Sequence, residues 1–387
     1  MKVIYSRRIR KLPPYLFIEL DKKKKKLQES GVDIISLGVG DPDIPTPKHI
    51  VESIQRAVED GRNHQYPFGR GLKEFCNAVS DWYKTRFNVE LDPSSEVYSL
   101  IGSKEGIGHL PLAFVNPNEY VLVPEPGYPV YKSSTILCGG KVYFMPLLEK
   151  NNYLPDLENI PEEVLKKTKL MFLNYPNNPT SQTATKEFFV RVVDFAKKYN
   201  IIVAHDCAYS EMYFDENNKP ISFLEVEGAK DVGIEFHSLS KTYNMTGWRI
   251  GWVCGNKKII DGLAKVKDNY DSGVFNAVQI AAVTALKGSQ DCVEQMRKIY
   301  KERRDVFVNG LRDIGLQVKI PEATFYVWCK VPEGFSSISF TERVLTQGVV
   351  CTPGKGFGES GEGYVRFALT VEVARLKEAL ERIKKCL

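Results

Sequence analysis

Short runs of β-branched and aromatic residues alternate with longer amphipathic stretches through the middle of the chain. An apolar run bounded by turn residues predicts a strand, and apolar positions three or four residues apart predict a helix. This alternation is typical of a mostly parallel sheet covered by helices, so we expect the α/β class. Strands are predicted at 97–101, 120–123, 141–145, 170–174, 201–205, 233–237 and 249–253, and helices at 104–114, 186–199 and 257–270.

The pattern changes near residue 276, where long helical stretches replace the alternation. A chain of 387 residues exceeds the usual size of one hydrophobic core, so two domains are expected. The seven strands predict a large domain at 45–275, and a smaller α+β domain is expected from 1–44 together with 276–387. In the latter, helices are predicted at 276–287 and 292–314, strands at 317–320, 324–331 and 364–369, and a final helix from 371.

The charge balance gives little reason to expect a nucleic acid or a membrane as a partner. The sequence has 53 Lys and Arg against 48 Asp and Glu, so the net charge of +5 is a small excess for this length. The one dense run, Lys22 to Lys26, is interpreted as the solvated face of an N-terminal helix. No stretch of eighteen apolar residues occurs, and we expect a cytoplasmic protein.

The eight cysteines and five histidines are scattered, without a Cys-x-x-Cys or His-x-x-x-His pair. This spacing argues against a zinc ribbon, a redox dithiol and a helical metal site. Neither a metal centre nor a disulfide framework is therefore expected.

The most informative polar segment runs from Ser238 to Arg249 and follows the predicted strand 233–237. Ligands of open α/β sheets bind beyond the carboxyl ends of the strands, so polar residues there are candidates for chemistry. Lys241, if partly desolvated, would have a lowered pKa and could attack an aldehyde to form a Schiff base. Arg249 and Ser238 could bind a phosphate. Taken alone, the segment also fits a surface loop.

Asp206 and Tyr209 follow the apolar run of the predicted strand 201–205. A carboxylate there could keep the nitrogen of a pyridine cofactor protonated, so that the ring acts as an electron sink. Tyr209 could reach the phenolic oxygen of the same ring. An aspartate after a strand is also a common helix N-cap.

Three further loops carry groups that would suit such a cofactor. Asn178 lies in a turn with two prolines, where its amide could donate to the phenolic oxygen. Ser103 stands where a predicted strand joins a helix, so its hydroxyl and the nearby backbone N–H groups could bind phosphate. Tyr128 offers an aromatic face that could stack on a ring. Each of these signals is weak alone.

Together these segments resemble, in order and spacing, the fold-type-I pyridoxal-phosphate (PLP) aminotransferases of the aspartate aminotransferase superfamily. The resemblance extends from the Leu-Gly-Val-Gly-Asp-Pro-Asp segment that begins at Leu37 to Arg366. It implies a PLP enzyme that carries the cofactor on Lys241. It also implies that Asp206 pairs with the pyridine nitrogen, that Asn178 and Tyr209 contact the phenolic oxygen, that Tyr128 stacks on the ring, and that Ser103, Lys104, Ser238 and Arg249 bind the phosphate.

The same resemblance implies the substrates and the assembly. Arg366 would bind the α-carboxylate of an amino acid or 2-oxo acid, assisted by the Gly40 backbone, although alone it would also fit a buried structural ion pair. Tyr66 would reach the phosphate in the neighbouring subunit of a homodimer. In one departure, Ser181 follows the Asn-Pro-Thr turn where that family usually has glycine.

Two other motifs predict different chemistry and fit less well. Ser238 to Lys241 matches the Ser-x-x-Lys of serine acyltransferases, but the Ser-Asp-Asn and Lys-Thr-Gly partners of those enzymes do not occur. Gly356 to Gly361 matches Gly-x-Gly-x-x-Gly, yet a predicted strand follows it rather than a helix. A non-enzymatic PLP sensor would require an appended DNA-binding module. Elimination, decarboxylation and acyl transfer on the same cofactor remain open from the fold alone.

Four segments resemble more narrowly the LL-diaminopimelate aminotransferases of bacteria and archaea; they begin at Leu12, Asn174, Glu235 and Thr352. This implies amino transfer between LL-2,6-diaminopimelate and 2-oxoglutarate, giving tetrahydrodipicolinate and glutamate in lysine biosynthesis. Aspartate or alanine aminotransferase is the alternative. The distal end of the substrate is predicted to meet residues near Tyr15, the Tyr66-Pro67-Phe68 turn and Phe275-Asn276.

Overall fold

The computed structural model describes residues 1–14 and 16–387, and at residues 16–20 and 23 the description covers the backbone only. Within that part of the chain the strands are β1 (Ile35–Ser36), β2 (Val97–Leu100), β3 (Tyr120–Glu125), β4 (Lys141–Pro146), β5 (Thr168–Asn174), β6 (Ile202–Asp206), β7 (Gly233–Ser238), β8 (Gly251–Gly255), β9 (Tyr326–Lys330), β10 (Val349–Val350), β11 (Thr352–Pro353) and β12 (Tyr364–Ala368). The helices are α1 (Arg7–Lys11), α2 (Leu16–Glu29), α3 (Lys48–Glu59), α4 (Lys73–Phe87), α5 (Ser103–Phe114), α6 (Val130–Cys138), α7 (Glu162–Leu165), α8 (Lys186–Tyr199), α9 (Ala229–Val232), α10 (Leu239–Thr242), α11 (Lys257–Lys267), α12 (Asn276–Lys287), α13 (Asp291–Asp313), α14 (Ser337–Thr346) and α15 (Val373–Lys384).

Seven strands form the large sheet, in the order β2-β8-β7-β6-β5-β3-β4. Strand β8 runs antiparallel to both of its neighbours, and the other pairs are parallel. The predicted seven-stranded, mostly parallel sheet is therefore confirmed. Each of the seven strands predicted for this sheet corresponds to an observed one, with ends that agree within about two residues.

Alternate residues of the central strands face opposite sides of the large sheet, and helices cover both sides. In β5, Leu170 and Phe172 pack into the apolar cluster that includes α5 and α11. Met171 and Leu173 pack into the cluster that includes α4 and α8. Because both faces are buried, these strands read as nearly continuous apolar runs in the sequence.

The carboxyl ends of the parallel strands meet at one edge of the large sheet. Asn174 at the end of β5 lies opposite Asp206 at the end of β6. The backbone N–H of Cys207 then donates to the carbonyl of Phe236 in β7, which ends at Ser238. This edge therefore brings together the polar residues that follow each strand.

Two small sheets lie outside the large one. Strand β1 pairs in parallel with β10, and β12 pairs antiparallel with both β11 and β9. The predicted strands at 324–331 and 364–369 correspond to β9 and β12. The division into a large domain at 45–275 and a smaller one from the remainder stays a prediction.

The strand predicted at 317–320 is wrong. Of these residues, only Val318 makes a β-contact, an isolated bridge to Cys329. The other three side chains are exposed, and Pro321, which has no backbone N–H, follows directly. The run therefore lacks a buried face, and strand propensity without burial does not form a strand.

The basic run near the N-terminus lies on α2. Lys22, Lys25 and Lys26 are exposed, in agreement with the predicted solvated face. Gly31 follows the helix with φ 82°, a left-handed conformation that commonly ends helices. None of the helices within 1–14 and 16–387 combines the length and apolar character that a bilayer span requires.

Candidate active site

A cavity of about 300 Å³ opens at the carboxyl edge of the large sheet, where loops of that sheet meet β9 and β12. It brings together most of the residues predicted to bind cofactor or substrate. Those lining it are Gly40, Ser103, Lys104, Tyr128, Asn178, Asp206, Tyr209, Ser238, Lys241, Arg249 and Arg366.

Lys241 lies in the short helix α10, directly after β7. Its Nζ donates to the carbonyl oxygen of Gly40 at 2.7 Å. Burial lowers the pKa of Lys241 to about 8, and the positive charges of Arg366 and Arg249 act in the same direction against the opposing effect of Asp41. A sizeable fraction of the amine is therefore neutral and nucleophilic near neutral pH.

Asp206 is buried at the end of β6. Its Oδ2 accepts a hydrogen bond of 2.8 Å from the phenol of Tyr131, whereas Oδ1 is buried without a hydrogen-bond partner among the described residues. Burial raises the pKa of Asp206. A carboxylate oxygen in this position requires a donor from the cavity, and the protonated nitrogen of a pyridine ring fits that requirement.

A buried charge network lies beneath Asp206. His205 and His237 contact the two carboxylate oxygens of Glu235 at 2.7 and 2.9 Å. Burial alone would raise the pKa of Glu235, but the hydrogen bonds from both histidines lower it well below its usual range. His205, Cys207 and Glu235 have donor atoms close enough for one metal ion. Because both Glu235 oxygens already accept hydrogen bonds, the cluster is explained as a hydrogen-bond network.

Two tyrosines that line the cavity contact each other. The hydroxyls of Tyr209 and Tyr326 are hydrogen-bonded at 2.9 Å, and both side chains are buried. Burial raises the pKa of each phenol, so both remain protonated near neutral pH. Gly40 leaves no room for a Cβ, which would collide with the Tyr326 hydroxyl.

Arg366 projects from β12 and is 1% exposed. Its Nη1 donates to Asn178 Oδ1 at 2.7 Å, and its Nη2 donates to the Gly38 carbonyl at 2.6 Å. The guanidinium carbon lies 4.2 Å from the ring centroid of Tyr326 and 4.8 Å from that of Phe357. These contacts fix a planar set of donors of the kind that binds carboxylates.

The loop before α5 and the Arg249 side chain form a second group of donors. Arg249 has φ 56°, and its Nη1 and Nη2 donate to the carbonyls of Thr246 (2.8 Å) and Ile101 (3.4 Å). Gly102 has φ 73°, and a Cβ there would collide with the Arg249 guanidinium. Ser103 begins α5, so backbone N–H groups and a guanidinium face the same space, which suits a phosphate.

The turn with Asn178 has a serine after Thr180 in a backbone conformation that favours glycine. The Asn178–Pro179 bond is cis, and Ser181 has φ 64°. That φ is one that glycine adopts readily and serine rarely does. Ser181 therefore adopts a conformation that a glycine at this position would also allow.

Neither the Tyr66-Pro67-Phe68 turn nor Phe275-Asn276 lines the cavity. Tyr66 is 73% exposed, and its ring lies 5.7 Å from that of Phe68. Phe275, predicted to lie near the distal end of the substrate, is also exposed and outside the cavity. Tyr15 lies outside the described residues.

Tyr131 and Tyr326 are the functional candidates that the sequence reasoning missed. Tyr131 follows Tyr128 by three residues, so the start of α6 places both near Asp206. Tyr326 stands in the predicted strand 324–331, to which no site residue was assigned. Neither residue belongs to a loop that follows a strand of the large sheet, which was the signal used to find the others.

Residues 32–383 match the sequence family described as aminotransferase class I and II. The chain belongs to this family. It is therefore a PLP-dependent aminotransferase that acts on amino acids and 2-oxo acids, and the predicted enzyme class and cofactor are confirmed. The orphaned oxygen of Asp206 and the donors around Arg249 fit that cofactor.

Curated relatives cover almost the full length of the aminotransferase. The LL-diaminopimelate aminotransferase of Syntrophobacter fumaroxidans is 55% identical over 386 residues, which are 100% of this chain and 99% of the relative. The LL-diaminopimelate aminotransferase of Aquifex aeolicus is 58% identical over 381 residues, 98% of each chain.

Solved structures share the fold. Substrate-bound BacF from Bacillus subtilis superposes with a TM-score of 0.96 at 41% identity, covering 99% of this aminotransferase and 98% of that chain. A mutant of Thermus thermophilus aspartate aminotransferase gives a TM-score of 0.93 at 28% identity, covering 100% of both. The predicted fold type is thus confirmed.

Proposed function

We propose that this aminotransferase interconverts LL-2,6-diaminopimelate and 2-oxoglutarate with tetrahydrodipicolinate, glutamate and water. Lysine biosynthesis would use the direction in which glutamate donates the amino group and LL-2,6-diaminopimelate is formed. The observation that supports this substrate is the shared name of curated relatives that are 55–58% identical over nearly the whole of both chains. The aspartate aminotransferase of Thermus thermophilus is more distant, at 28% identity.

Lys241 and Asp206 are the residues we assign to the chemical step. PLP, when bound, supplies an electron sink conjugated to the α carbon of the substrate. Lys241 would hold the cofactor covalently and take up and return the proton at that carbon, which a pKa of about 8 favours. Asp206 Oδ1 would hold the proton on the ring nitrogen, while Tyr131 keeps Oδ2 engaged.

The other cavity residues would bind and orient the cofactor. Tyr209 would donate its proton to the phenolic oxygen, so Tyr326 would then be the donor in the bond between the two phenols. Asn178 would donate to the same oxygen through its amide nitrogen, because its Oδ1 already accepts from Arg366. Tyr128 would stack on the ring. The phosphate would be bound by Ser103, Lys104, Ser238 and Arg249.

Arg366 would bind the α-carboxylate that the amino acid and 2-oxo acid substrates share. Its side chain is fixed between Asn178 and the Tyr326 ring, so little conformational freedom is lost when a carboxylate binds. The backbone of Gly40 would assist in binding the α-carboxylate. Gly40 lies against Tyr326, whose ring contacts Arg366, so its backbone is close to the proposed carboxylate site.

Kinetics with a set of amino donors test the substrate. LL-diaminopimelate with 2-oxoglutarate should give a higher kcat/KM than aspartate or alanine with the same acceptor, because every donor shares the Arg366 contact and only the distal end differs. Steady-state rates of glutamate formation measure this directly. A higher kcat/KM with aspartate or alanine would assign the protein to those aminotransferases and leave the reaction class unchanged.

We propose that the active unit is a homodimer. Tyr66, Phe68, Tyr270 and Phe275 all expose large aromatic side chains, which is unusual for a surface that faces only water. A partner related by twofold symmetry would cover such residues and bring the partner's Tyr66 to the phosphate site.

Mixing two inactive variants tests the shared site. In a mixed dimer of Tyr66→Ala and Lys241→Ala, one site combines both defects and the other has intact Lys241 and intact Tyr66. Re-equilibrated at equal amounts, half of the dimers are mixed, so about a quarter of wild-type activity should return. Each variant incubated alone is the control. If no activity returned in the mixture, sharing of Tyr66 between subunits would be wrong.

We also propose a cytoplasmic location. All eight cysteines are free thiols, and six of them are buried, as is usual for a chain kept in a reducing compartment. Cell fractionation with an antibody against the protein would test this, and recovery outside the cytoplasmic fraction would contradict it.

A further inference from the structure

Two buried hydroxyls hold the backbone of Tyr326 on both sides. The Tyr326 N–H donates to Thr324 Oγ1 at 3.0 Å, and the Ser181 hydroxyl donates to the Tyr326 carbonyl at 2.8 Å. The two hydroxyl oxygens lie 2.7 Å apart. Because Ser181 uses its proton on the carbonyl, Thr324 must be the donor between them. The result is a closed loop of hydrogen bonds through Ser181, Thr324 and Tyr326.

Both hydroxyl residues adopt a backbone conformation that is unfavourable for their residue type. Ser181 and Thr324 each have φ 64°, the left-handed region that favours glycine and that a β-branched residue rarely adopts. Both side chains are fully or almost fully buried. Glycine would relieve the backbone at either position but could not make the hydrogen bonds. The loop of hydrogen bonds is therefore what offsets the strain.

The loop joins the two neighbours of Arg366. On one side, Ser181 belongs to the turn of Asn178, with its N–H donating to the Asn177 carbonyl at 2.9 Å, and Asn178 Oδ1 accepts from Arg366. On the other side, the Tyr326 ring lies against the Arg366 guanidinium. The turn follows β5 of the large sheet, whereas Tyr326 begins β9 of a small sheet.

We propose that Ser181 and Thr324 are positioning residues of the substrate site. Their hydrogen-bonded loop fixes the separation between the Asn178 turn and Tyr326, and so holds the Arg366 guanidinium in the orientation that receives a carboxylate. This inference rests on the proposed role of Arg366 in substrate binding. Ser181 and Thr324 would touch neither cofactor nor substrate.

Substitutions that remove the Ser181 hydroxyl test the proposal. Both variants lose the hydrogen bonds of the hydroxyl, but Ser181→Ala keeps the strained backbone, whereas Ser181→Gly relieves it. Comparing the two therefore separates the effect of the lost hydrogen bonds from the effect of backbone strain. In both variants the dissociation constant for glutarate, an unreactive dicarboxylate, should rise about three- to tenfold. Glutarate binding is read from the visible absorbance of the bound cofactor, without turnover. KM for both substrates should rise in parallel, with kcat and the cofactor affinity little changed.

Thr324→Ala should raise the glutarate dissociation constant by a similar factor. The Ser181→Ala/Thr324→Ala double variant should bind only as weakly as one single variant, because either substitution already breaks the loop. Ser336→Ala is the matched control. It removes a serine hydroxyl that caps α14, so it should lower the melting temperature and leave the glutarate dissociation constant unchanged.

The outcomes separate positioning from simple stability. If the Ser181 and Thr324 variants melted earlier but bound glutarate within twofold of wild type, the hydroxyls would be structural only and the inference would be wrong. It would also be wrong if only Ser181→Ala, and not Ser181→Gly, weakened binding. A wild-type protein that binds no cofactor or no dicarboxylate would overturn the proposed function as well.

Discussion

Replacing Lys241 with alanine should abolish covalent capture of PLP and reduce transamination by at least roughly 10²–10⁴-fold, the contribution of a positioned acid or base alone. The loss follows from the position of Nζ, which lies in the cavity against the Gly40 carbonyl. Lys104 is the other lysine that lines the cavity, and its Nζ lies 5.9 Å from the Tyr128 ring centroid. Borohydride reduction followed by mass analysis of the modified peptide measures the capture.

The Lys166→Ala variant is the control for that substitution. Lys166 is exposed and, among the described residues, forms its ion pair with Glu162 one helical turn earlier, so its loss should leave capture and turnover unchanged. If Lys241→Ala still retained borohydride-stable cofactor, another amine would carry it and the assignment of Lys241 would be wrong.

The lowered pKa of Lys241 predicts how capture depends on pH. Only the neutral amine attacks an aldehyde, so the rate at which the cofactor-free protein captures PLP should rise with pH and reach half its maximum near pH 8. Between pH 7 and pH 9 the neutral fraction increases about tenfold. Asp41 raises the pKa of Lys241, and Asp41→Asn should therefore move the midpoint to lower pH. A rate that increased only above pH 10 would contradict a desolvated Lys241.

The large sheet could be predicted from the sequence because its physical cause is local. Strands buried on both faces must be apolar almost throughout, and β5 and β8 carry that pattern in their own residues. The run at 317–320 also contains apolar residues, but of these only Val318 is partly buried, and its contact with β9 is an isolated bridge. Whether a run is buried depends on the rest of the fold, which a local pattern does not record.

The candidate active site was predictable where residues follow strands, because parallel strands bring their carboxyl ends to one edge. Asn178, Asp206 and Lys241 were found for that reason and line one cavity. Tyr326 lines the same cavity from a strand of another sheet, and Tyr131 contacts Asp206 from a helix. Their contribution depends on how α6 and β9 pack against the edge, which only the folded chain shows.

The hydroxyl of Ser181 illustrates the same limit. In the sequence it stands out only as a residue where the family usually has glycine. In the fold its hydroxyl is hydrogen-bonded to Thr324 and Tyr326, which lie more than a hundred residues away. The serine can be recognised from the local sequence, but the hydrogen bonds that it forms depend on the tertiary structure.

Replacing Arg366 with lysine should lower kcat/KM by roughly two orders of magnitude or more with every amino donor and acceptor. Losing one partner of a desolvated, hydrogen-bonded charge pair costs about 2–5 kcal/mol. Lysine keeps the charge but not the planar donors, and it would leave Asn178 Oδ1 and the Gly38 carbonyl without the contacts they now have. Steady-state kinetics with each donor measure the loss as transition-state free energy.

The pattern across substrates distinguishes carboxylate binding from a structural role for Arg366. Because all substrates share the α-carboxylate, kcat/KM should fall by a similar factor for LL-diaminopimelate, glutamate and aspartate. The dissociation constant for PLP should stay within about twofold of wild type. Arg375→Lys, on a partly exposed arginine that pairs with Asp33 and Glu378 outside the cavity, should change neither quantity. A loss confined to one donor would place Arg366 at the distal end of the substrate, and a loss of PLP binding would make it a structural residue of the cavity.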